Sequence, residues 1–384
     1  MRLEPVRVAL LTNNLLPPGE GVARHVVEVA KRLQARGFEP LIVARGEGSF
    51  GWRREGCEGV PVLRYPHLPV KPFHHALSRL PLQRWLDDGA EGADLVHVHL
   101  PLLPPLRTRL RRVVTVHSPM LTDAAAIGEG GVQPALLKLN ARIFSRRLEQ
   151  HHLNGAETVV AVSEGVADEL AANYALKAPP RVIPNGVDTH SLRPGPRAKR
   201  ANGPLLYVGR LGYRKGLFRL LEAVALLGPG APVLELAGAG PLGEALRARA
   251  RLLGIRDRVR FLGFLDRGAL LDRLHAAACL VNPADYESGP LTLLEGMATA
   301  TPIVTTRTGL VREIEGLSGG RPPFVAASSQ PASLADAIEG VLADPHAADE
   351  RAILGRRLVE RHFDWESVAD RLVESYGWAQ RKAA

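Results

Sequence analysis

The stretch that decides the fold runs from Leu205 to Gly228 and reads LLYVGRLGYRKGLFRLLEAVALLG. Its first four residues form an apolar run of the kind found in buried parallel strands. The loop Gly209–Gly216 follows, and the apolar positions of residues 216–227 then recur with a helical period. A strand, a glycine-containing loop and a helix in this order predict one unit of a parallel α/β sheet.

Similar units lie on both sides of this stretch. Before it, we predict strands at Val6–Asn13, Pro40–Ala44, Asp94–Val98, Arg112–Val116 and Thr158–Val162. After it, we predict strands at Val233–Ala237, Val259–Leu262, Cys279–Asn282 and Ile303–Thr305, and a helical tail over 333–380. The proline-rich stretch 187–204 interrupts the alternation and is interpreted as a linker. The pattern predicts an α/β fold of two doubly wound, Rossmann-like domains that face each other across a cleft.

The composition of the 384 residues narrows the class of protein. Hydrophobic residues make up 46% of the chain, which excludes disorder as a description of the whole. Cys57 and Cys279 are too few for a disulfide framework and indicate a reducing compartment. The chain has neither a long apolar run nor the features of a signal peptide, so we expect a cytoplasmic protein, with peripheral contact to the inner membrane face as an option.

The net charge of +9 fits three classes of partner: nucleic acid, an anionic membrane surface or a phosphorylated substrate. An aromatic content of 5% offers few side chains for stacking on bases, so a nucleic-acid partner is disfavoured. Two groups of arginines in the first half are candidates for an anion-binding face: Arg107, Arg109, Arg111 and Arg112, then Arg142, Arg146 and Arg147.

Two cations leave the strand at 205–208 and precede the next helix. Arg210 and Lys215 are placed to converge on a phosphate or diphosphate, where a leaving group gains negative charge. An ordinary solvated loop accounts for the same residues equally well.

A second loop, Asp285–Pro290, follows the predicted strand at 279–282. Pro290 suits the first turn of a helix, and Glu295 then lies among leucines on the second turn. A carboxylate there needs a partner, which is either a pair of sugar hydroxyls or a nearby arginine. The helix start beside Ser288 and Gly289 adds free backbone N–H groups for an anion.

The first half carries weaker signals. Gly19 and Gly21 follow the first strand and let the backbone approach a phosphate. His117 ends a strand where ligands bind in such sheets, so it either contacts a substrate hydroxyl or bonds to its own loop. His97 is expected to be structural, and His99 is left open. The remaining first-half histidines, near 67–75 and 151–152, are expected at the surface.

The stretch Gly238–Gly243 matches the dinucleotide fingerprint G-x-G-x-x-G and raises an NAD or FAD oxidoreductase as an alternative. It opens the second strand–helix unit of its domain, however, and the acidic residue expected about 20 positions later is missing.

The spacing of histidines, cysteines and carboxylates shows no metal-binding motif of the H-E-x-x-H, C-x-x-C or D-x-D type, so no metal site is predicted.

Taken in order, these motifs resemble the retaining glycosyltransferases of family 4, which share the two-Rossmann GT-B architecture. The resemblance covers nearly the whole chain: GEGVARHVVEVAKRL, DLVHVHLP, VVTVHS, VAVSEGV, VIPNGVD, VGRLGYRKG, LAGAGP, VRFLGFL and YESGPLTLLEGMA. The last contains the Glu-x7-Glu pattern from Glu287 to Glu295. The resemblance implies an N-terminal acceptor-side domain over 1–190, with 366–384 packing back on it, and a donor-binding domain over 191–365.

The resemblance also implies roles for individual residues. Arg210 and Lys215 neutralise the donor diphosphate, and Glu295 binds the ribose hydroxyls. Glu287 contacts hydroxyls of the donor sugar, with help from the N–H groups of Gly289 and Leu291. The remaining donor-site residues are Gly19, Gly21, Gly240, Ser288 and Thr292, and His117 lies near the reacting sugar. Members of the family use a nucleotide-diphosphate sugar as co-substrate and need neither metal nor cofactor; their acceptors are lipids, glycans or small molecules.

The chain departs from the family pattern at three positions. Glu20 replaces a glycine, Pro290 lies where an N–H donor is lost, and Leu310 replaces a second glycine. The departures at Glu20 and Pro290 raise a further alternative, a non-catalytic member that binds only nucleotide or membrane.

Overall fold

The computed structural model describes residues 5–16, 21–48, 50–67, 74–125, 139, 141–196, 200 and 202–377. Contacts between Cα atoms divide these residues into two compact units. The first unit contains the described residues up to Asn185 and the helix that begins at Trp365, and the second unit is Gly186–Asp364.

The first unit is built on a sheet of eight strands in the order β3-β4-β2-β1-β5-β6-β7-β8. All neighbouring strands are parallel except β3 and β4. The strands are β1 Arg7–Thr12, β2 Glu39–Arg45, β3 Arg53–Cys57, β4 Val60–Tyr65, β5 Leu95–Leu100, β6 Arg111–Val116, β7 Thr158–Ala161 and β8 Arg181–Val182.

Helices cover both faces of this sheet, because the strands have apolar residues on each side and two separate core clusters form. The helices are α1 Gly21–Ala35, α2 His74–Asp87, α3 Met120–Ala125, α4 Arg146–Gly155, α5 Glu164–Asn173 and α13 Trp365–Ser375, with a π-helical turn at Ala141–Ser145 and a 3₁₀ turn at Ala90–Gly92.

The C-terminal helix α13 completes the core of the first unit. Trp365, Val368 and Leu372 are buried in the same cluster as the apolar face of α1. Burying each aliphatic side chain contributes about 1.5–3 kcal/mol, whereas the surface pair between Arg36 and Asp370 contributes little. The apolar contacts therefore hold α13 in place.

The second unit contains a parallel sheet of six strands in the order β11-β10-β9-β12-β13-β14. Its strands are β9 Leu205–Val208, β10 Leu234–Ala237, β11 Val259–Gly263, β12 Cys279–Asn282, β13 Ile303–Thr306 and β14 Val325–Ala327. Its helices are α6 Leu217–Leu226, α7 Gly243–Leu252, α8 Arg267–Ala276, α9 Leu291–Ala298, α10 Val311–Leu317, α11 Pro331–Ala343 and α12 Pro345–His362, with 3₁₀ turns at Tyr213–Lys215 and Arg256–Arg258. This strand order is that of a Rossmann fold, with an apolar core on each face.

Two expectations about surface residues and linkers are wrong. The described part of 187–204 is irregular, but it packs on the second unit: the Val187 N–H donates to the Phe363 carbonyl at 2.8 Å, and Arg200 is buried against the Thr299 carbonyl at 2.9 Å. His67 and His152 are buried: the Ser78 hydroxyl is the partner of His67 Nδ1, and the Pro104 carbonyl is the partner of His152 Nε2. In the described ranges we find no helix whose length and apolar character would let it cross a bilayer.

Candidate active site

The candidate site lies at the carboxyl edge of the second sheet, where the strand order reverses. Strand β9 has β10 on one side and β12 on the other, and ligands bind at this switch point in open α/β sheets. The loops that follow β9 and β12 therefore lie side by side. Together with helix α9, they carry most of the residues predicted to bind the donor.

An ion pair joins these two loops. Lys215 Nζ donates to Glu287 Oε1, and both side chains are largely buried, with 19% and 16% of their surface exposed. Arg219 pairs in the same way with Asp285. The Asp285 N–H also donates to the Arg214 carbonyl at 2.9 Å. The predicted cation and the predicted carboxylate are thus in contact.

Arg214 is a third cation in this loop that sequence reasoning missed. Its guanidinium lies 5.8 Å from the centre of the Tyr286 ring, and burial lowers its pKa while the charge of Glu287 opposes that shift. Its position between Arg210 and Lys215 was the signal in the sequence that could have found it. Arg210 itself is exposed, and its carbonyl accepts from the Tyr207 hydroxyl at 2.9 Å.

Two glycines with positive φ permit this close packing. Gly216 has φ of 64°, and a Cβ there would lie 1.9 Å from the Pro283 carbonyl oxygen. Gly309 has φ of 51°, and a Cβ there would lie 2.1 Å from the Glu287 carbonyl oxygen. Any other residue would push the Glu287 loop out of position. Gly240 serves the same purpose on the other side, because its Cβ would lie 2.4 Å from the Leu211 carbonyl oxygen.

Helix α9 begins one residue later than predicted. Pro290 is its N-cap, with ψ of 113°, so the first helical residue is Leu291. Proline here removes an N–H group outside the helix, and the N–H groups of the first turn stay available for an anion. Ser288, Gly289, Leu291, Thr292 and Glu295 are all half-buried at this end of the helix.

Leu310 also has a structural explanation. It is fully buried in a core cluster at the start of α10, where it adopts a helical conformation. The glycine of this turn is retained at Gly309, so the departure at 310 fills the core and leaves the loop contact intact.

A cavity of about 400 Å³ opens at the same edge of the second sheet. It shares Asp285 with the ion-paired loops. Its wall continues through Thr306, Arg307 and Thr308 to the end of β14 and the two serines that follow it, Ser328 and Ser329. Most of its lining residues are polar or charged, so it is suited to a hydroxylated or charged ligand.

At the carboxyl edge of the first sheet, imidazoles gather around His117. His99 lies in β5, His25 lies in α1, and His117 directly follows β6. His99 Nδ1 lies 3.2 Å from His117 Nε2, and the ring centres of His25 and His117 are 4.6 Å apart. His97 has the structural role predicted for it, because the Tyr376 hydroxyl and the Thr115 hydroxyl occupy its two nitrogens at 2.9 and 2.7 Å. Gly19 and Glu20 lie outside the described residues, and Gly21 is the exposed first residue of α1.

Burial keeps these imidazoles neutral. It lowers the pKa of His25 to about 4 and that of His97 to about 3. The pKa values of His99 and His117 are also lowered well below the ordinary range, by burial and by the neighbouring rings. A neutral His117 is able to accept a hydrogen bond from a substrate hydroxyl.

Comparison with known proteins decides the family. A family model described as Glycosyltransferase Family 4 matches residues 19–191, and one described as Glycosyl transferases group 1 matches residues 194–358. Glycogen synthase of Mycobacterium tuberculosis is 30% identical over 94% of this chain and 92% of its own length. The chain belongs to glycosyltransferase family 4.

Solved structures show the same fold for this family 4 glycosyltransferase. Sucrose-phosphate synthase from Thermosynechococcus elongatus superposes with a TM-score of 0.78 at 22% identity, covering 99% of this chain and 100% of that chain. The Anabaena protein HepE, in complex with UDP-glucose, gives a TM-score of 0.74 at 17% identity and covers 97% of this chain and 99% of that one. The glycosyltransferase therefore has the predicted GT-B fold.

Family membership contradicts the alternative of an NAD or FAD oxidoreductase. The fold agrees, because Gly238–Gly243 follows β10, the second strand of its unit in chain order, whereas a dinucleotide fingerprint follows the first strand. Two arginines of the predicted anion-binding face have partners within the glycosyltransferase itself. Arg111 pairs with Glu157 at 2.9 Å, and Arg112 is buried, donating to the Leu106 carbonyl at 3.0 Å. Arg107 and Arg109 are exposed.

Proposed function

We propose that this glycosyltransferase is a retaining enzyme that moves a hexose-type sugar from a nucleotide-diphosphate sugar to an acceptor hydroxyl. The contact between Lys215 and Glu287 carries the proposal. This pair lies at the switch point of a Rossmann sheet, and we assign its cation to the diphosphate and its carboxylate to the sugar hydroxyls. The complex of HepE with UDP-glucose, in a protein of the same fold, supports this choice of donor.

The proposed binding mode follows from the order of these groups along the two loops. Arg210 and Lys215 face the diphosphate, and the N–H groups of Gly289 and Leu291 add positive potential from the start of α9. Ser288 and Thr292 flank these donors, and Glu295 accepts hydrogen bonds from the ribose diol. Donor binding breaks the Lys215–Glu287 pair, because the diphosphate replaces the carboxylate as the partner of Lys215.

In the proposed reaction, the bond between the anomeric carbon and the β-phosphate oxygen breaks. The acceptor oxygen bonds to the same carbon from the same face, and its proton passes to the departing phosphate oxygen. Fixed cations stabilise the negative charge that develops on the leaving group. We therefore propose that transfer needs no metal ion or organic cofactor, and that His117 contacts a hydroxyl of the reacting sugar.

The acceptor is proposed to be a saccharide hydroxyl. Glycogen synthase and sucrose-phosphate synthase, both similar to this chain over nearly its whole length, carry names that indicate carbohydrate products. An acceptor screen of glucans, hexose phosphates and glycolipids tests this choice.

The test of the donor site combines binding and transfer. Lys215→Ala and Arg210→Ala are each expected to lower transfer from the preferred donor by about 100-fold or more, since each removes fixed charge at the leaving group. Lys177→Ala, at an exposed lysine of the first unit, is the control. A thermal-shift panel of UDP, GDP, ADP, NAD and FAD identifies the donor base beforehand.

Two results would contradict the proposal. One is undiminished transfer by the doubly substituted protein. The other is stabilisation by nucleotide with no transfer to any acceptor, which would indicate a non-catalytic member of the family.

We also propose that the first unit makes peripheral contact with anionic membranes at the cytoplasmic face. Leu139, Ile143 and Phe144 leave 53%, 39% and 61% of their surface exposed, and the exposed side chain of Arg147 lies one helical turn further along the chain. Apolar side chains beside a basic one are the combination that binds an anionic interface.

Flotation with vesicles tests this contact. The double substitution Ile143→Ser with Phe144→Ser is expected to abolish flotation on vesicles that contain anionic lipid. Phe50→Ser, at a side chain that is 85% exposed elsewhere in the first unit, should leave flotation unchanged. Equal flotation on neutral and anionic vesicles would exclude the electrostatic part of the proposal.

A further inference from the structure

Three histidines of the first unit converge, and the proposed transfer reaction gives a role only to His117. We propose that His25, His99 and His117 form a binding site for a divalent transition-metal ion of the Zn²⁺ class. Spacing in the sequence predicts no such site, because the three residues belong to one helix and two strands. The strand order β1-β5-β6, with α1 after β1, brings them together.

The distances between the ring nitrogens suit a zinc site. One nitrogen of each histidine lies within 4.8 Å of the other two. His99 Nδ1 and His117 Nε2 are already 3.2 Å apart. Two nitrogens bound to one zinc ion at about 2.0–2.1 Å in tetrahedral geometry lie roughly 3.3 Å apart. The separation of this pair therefore already matches that of two ligands of one ion, and the site closes when His25 moves nearer and the rings turn towards a common point.

Asn185 orients the third ligand. The His25 Nδ1–H donates to Asn185 Oδ1 at 2.9 Å, so the lone pair of this ring is on Nε2. Nε2 is buried and has no hydrogen-bond partner among the described residues. A hydrogen bond from the outer ring nitrogen to an oxygen acceptor is the usual support of a metal-binding histidine, because it selects the tautomer and holds the ring.

The chemistry of the group selects the class of ion. Its ligand atoms are three imidazole nitrogens, with no carboxylate in the group. Imidazole suits Zn²⁺, Co²⁺, Ni²⁺ and Cu²⁺, whereas Mg²⁺ and Ca²⁺ prefer oxygen ligands. His25 and His99 are at most 1% exposed, while His117 is 6% exposed, so the open coordination position and the entry route lie on the side of His117.

The test of ion binding does not depend on the proposed transfer reaction, because a protein without transferase activity would still bind the ion. The two are nevertheless coupled through His117. An ion held here engages the ring that is proposed to contact the reacting sugar, so bound metal is expected to inhibit transfer.

The experiment is a titration of the EDTA-treated protein with Co²⁺, followed by visible absorption. We expect a single Co²⁺ per chain with the intense d–d bands of four-coordinate geometry, and displacement of Co²⁺ by Zn²⁺. His117→Gln should abolish the bands. Asn185→Ala should weaken affinity by about 10- to 100-fold, because only the orientation of His25 is lost.

His346→Gln is the control for binding at surface histidines, since that side chain is 85% exposed in the second unit, and it should bind Co²⁺ like the unaltered protein. Far-UV circular dichroism checks the fold of each variant. Anomalous scattering at the zinc edge from soaked crystals gives a readout that needs no variant. Absence of stoichiometric binding, or bands that persist in His117→Gln, would overturn the proposal.

Discussion

At the scale of single residues, Glu149 shows how burial changes chemistry. This carboxyl group is 3% exposed, accepts from the Met120 N–H at 3.0 Å and is paired with the Tyr174 hydroxyl. Burial raises its pKa to about 7, although both hydrogen bonds act in the opposite direction. Since α3 begins at Met120, shortly after His117, Glu149 anchors the segment that follows the histidine cluster.

The raised pKa predicts a dependence of stability on pH. The folded state binds the Glu149 proton more tightly than the unfolded state, so this contribution is complete below about pH 4.5 and is lost as pH rises to about 7. The loss is on the order of 3 kcal/mol. Glu149→Gln, which keeps the shape and a neutral group, is therefore expected to be more stable than the unaltered protein at pH 8. Urea unfolding at pH 5 and pH 8 measures the difference.

Glu157→Gln is the matched control for this measurement, because Glu157 is 52% exposed and pairs with Arg111 at the surface. It should change stability by less than about 1 kcal/mol at either pH. A loss of stability at pH 8 in Glu149→Gln would show instead that an ionised Glu149 stabilises the folded protein, contrary to a raised pKa.

At the scale of elements, the two loops of the candidate site depend on turns that only glycine allows. Gly309 precedes α10 with a positive φ and touches the Glu287 carbonyl. Gly316, inside the same helix, is exposed, and a Cβ added there would have no other atom within 4 Å. A side chain is therefore excluded at position 309 and has room at position 316, within one short segment.

Gly309→Ala is expected to lower stability by about 1–3 kcal/mol and to weaken stabilisation by nucleotide, because the new Cβ displaces the Glu287 loop. Gly316→Ala should raise stability by about 0.5–1 kcal/mol, as alanine favours a helix over glycine. Melting temperatures with and without nucleotide measure both effects. A Gly309→Ala protein that binds nucleotide normally would show that the loop contact is dispensable.

At the scale of the whole molecule, buried histidines are concentrated in the first unit. His25, His97, His99, His117 and His152 are all buried there with lowered pKa values. Among the described residues, the histidines of the second unit are not buried. The two units therefore differ in their sensitivity to acid.

The lowered pKa values of these histidines determine whether acid stabilises or destabilises the first unit. Below the ordinary histidine pKa of about 6.5, the unfolded chain takes up protons that the folded first unit does not, so its stability falls as pH drops from 6.5 towards 4. Glu149 opposes this trend, but it is one group against five. We expect the urea midpoint of the first unit to fall between pH 7.5 and pH 5.

Tryptophan fluorescence follows the unfolding of the first unit alone, because the second unit, residues 186–364, contains no tryptophan. The four tryptophans are Trp52, Trp85, Trp365 and Trp378. Circular dichroism reports both units. Equal pH sensitivity of the fluorescence and dichroism transitions would argue against a selective effect on the first unit.

Much of the fold was predictable because strand and helix periods are local properties. The order of strands and helices around Leu205–Gly228 follows from apolar runs and glycine positions within short windows. The loop residues Arg210, Lys215 and Glu287 were predictable as site candidates for the same reason, since each follows a strand of a parallel sheet. Leu310 and Pro290 could not be interpreted in this way, because a core position and a helix cap are defined by neighbours in space.

The sequence by itself determined the alternation of strands and helices, the two-unit organisation and the family, since all three depend on local pattern and on order along the chain. Only the tertiary structure decided which side chains meet: Lys215 with Glu287, Arg214 with Tyr286, and His25 with His99 and His117. The physical reason is that contacts between distant segments depend on strand order and on loop approach. Neither is encoded in the spacing of residues along any one segment.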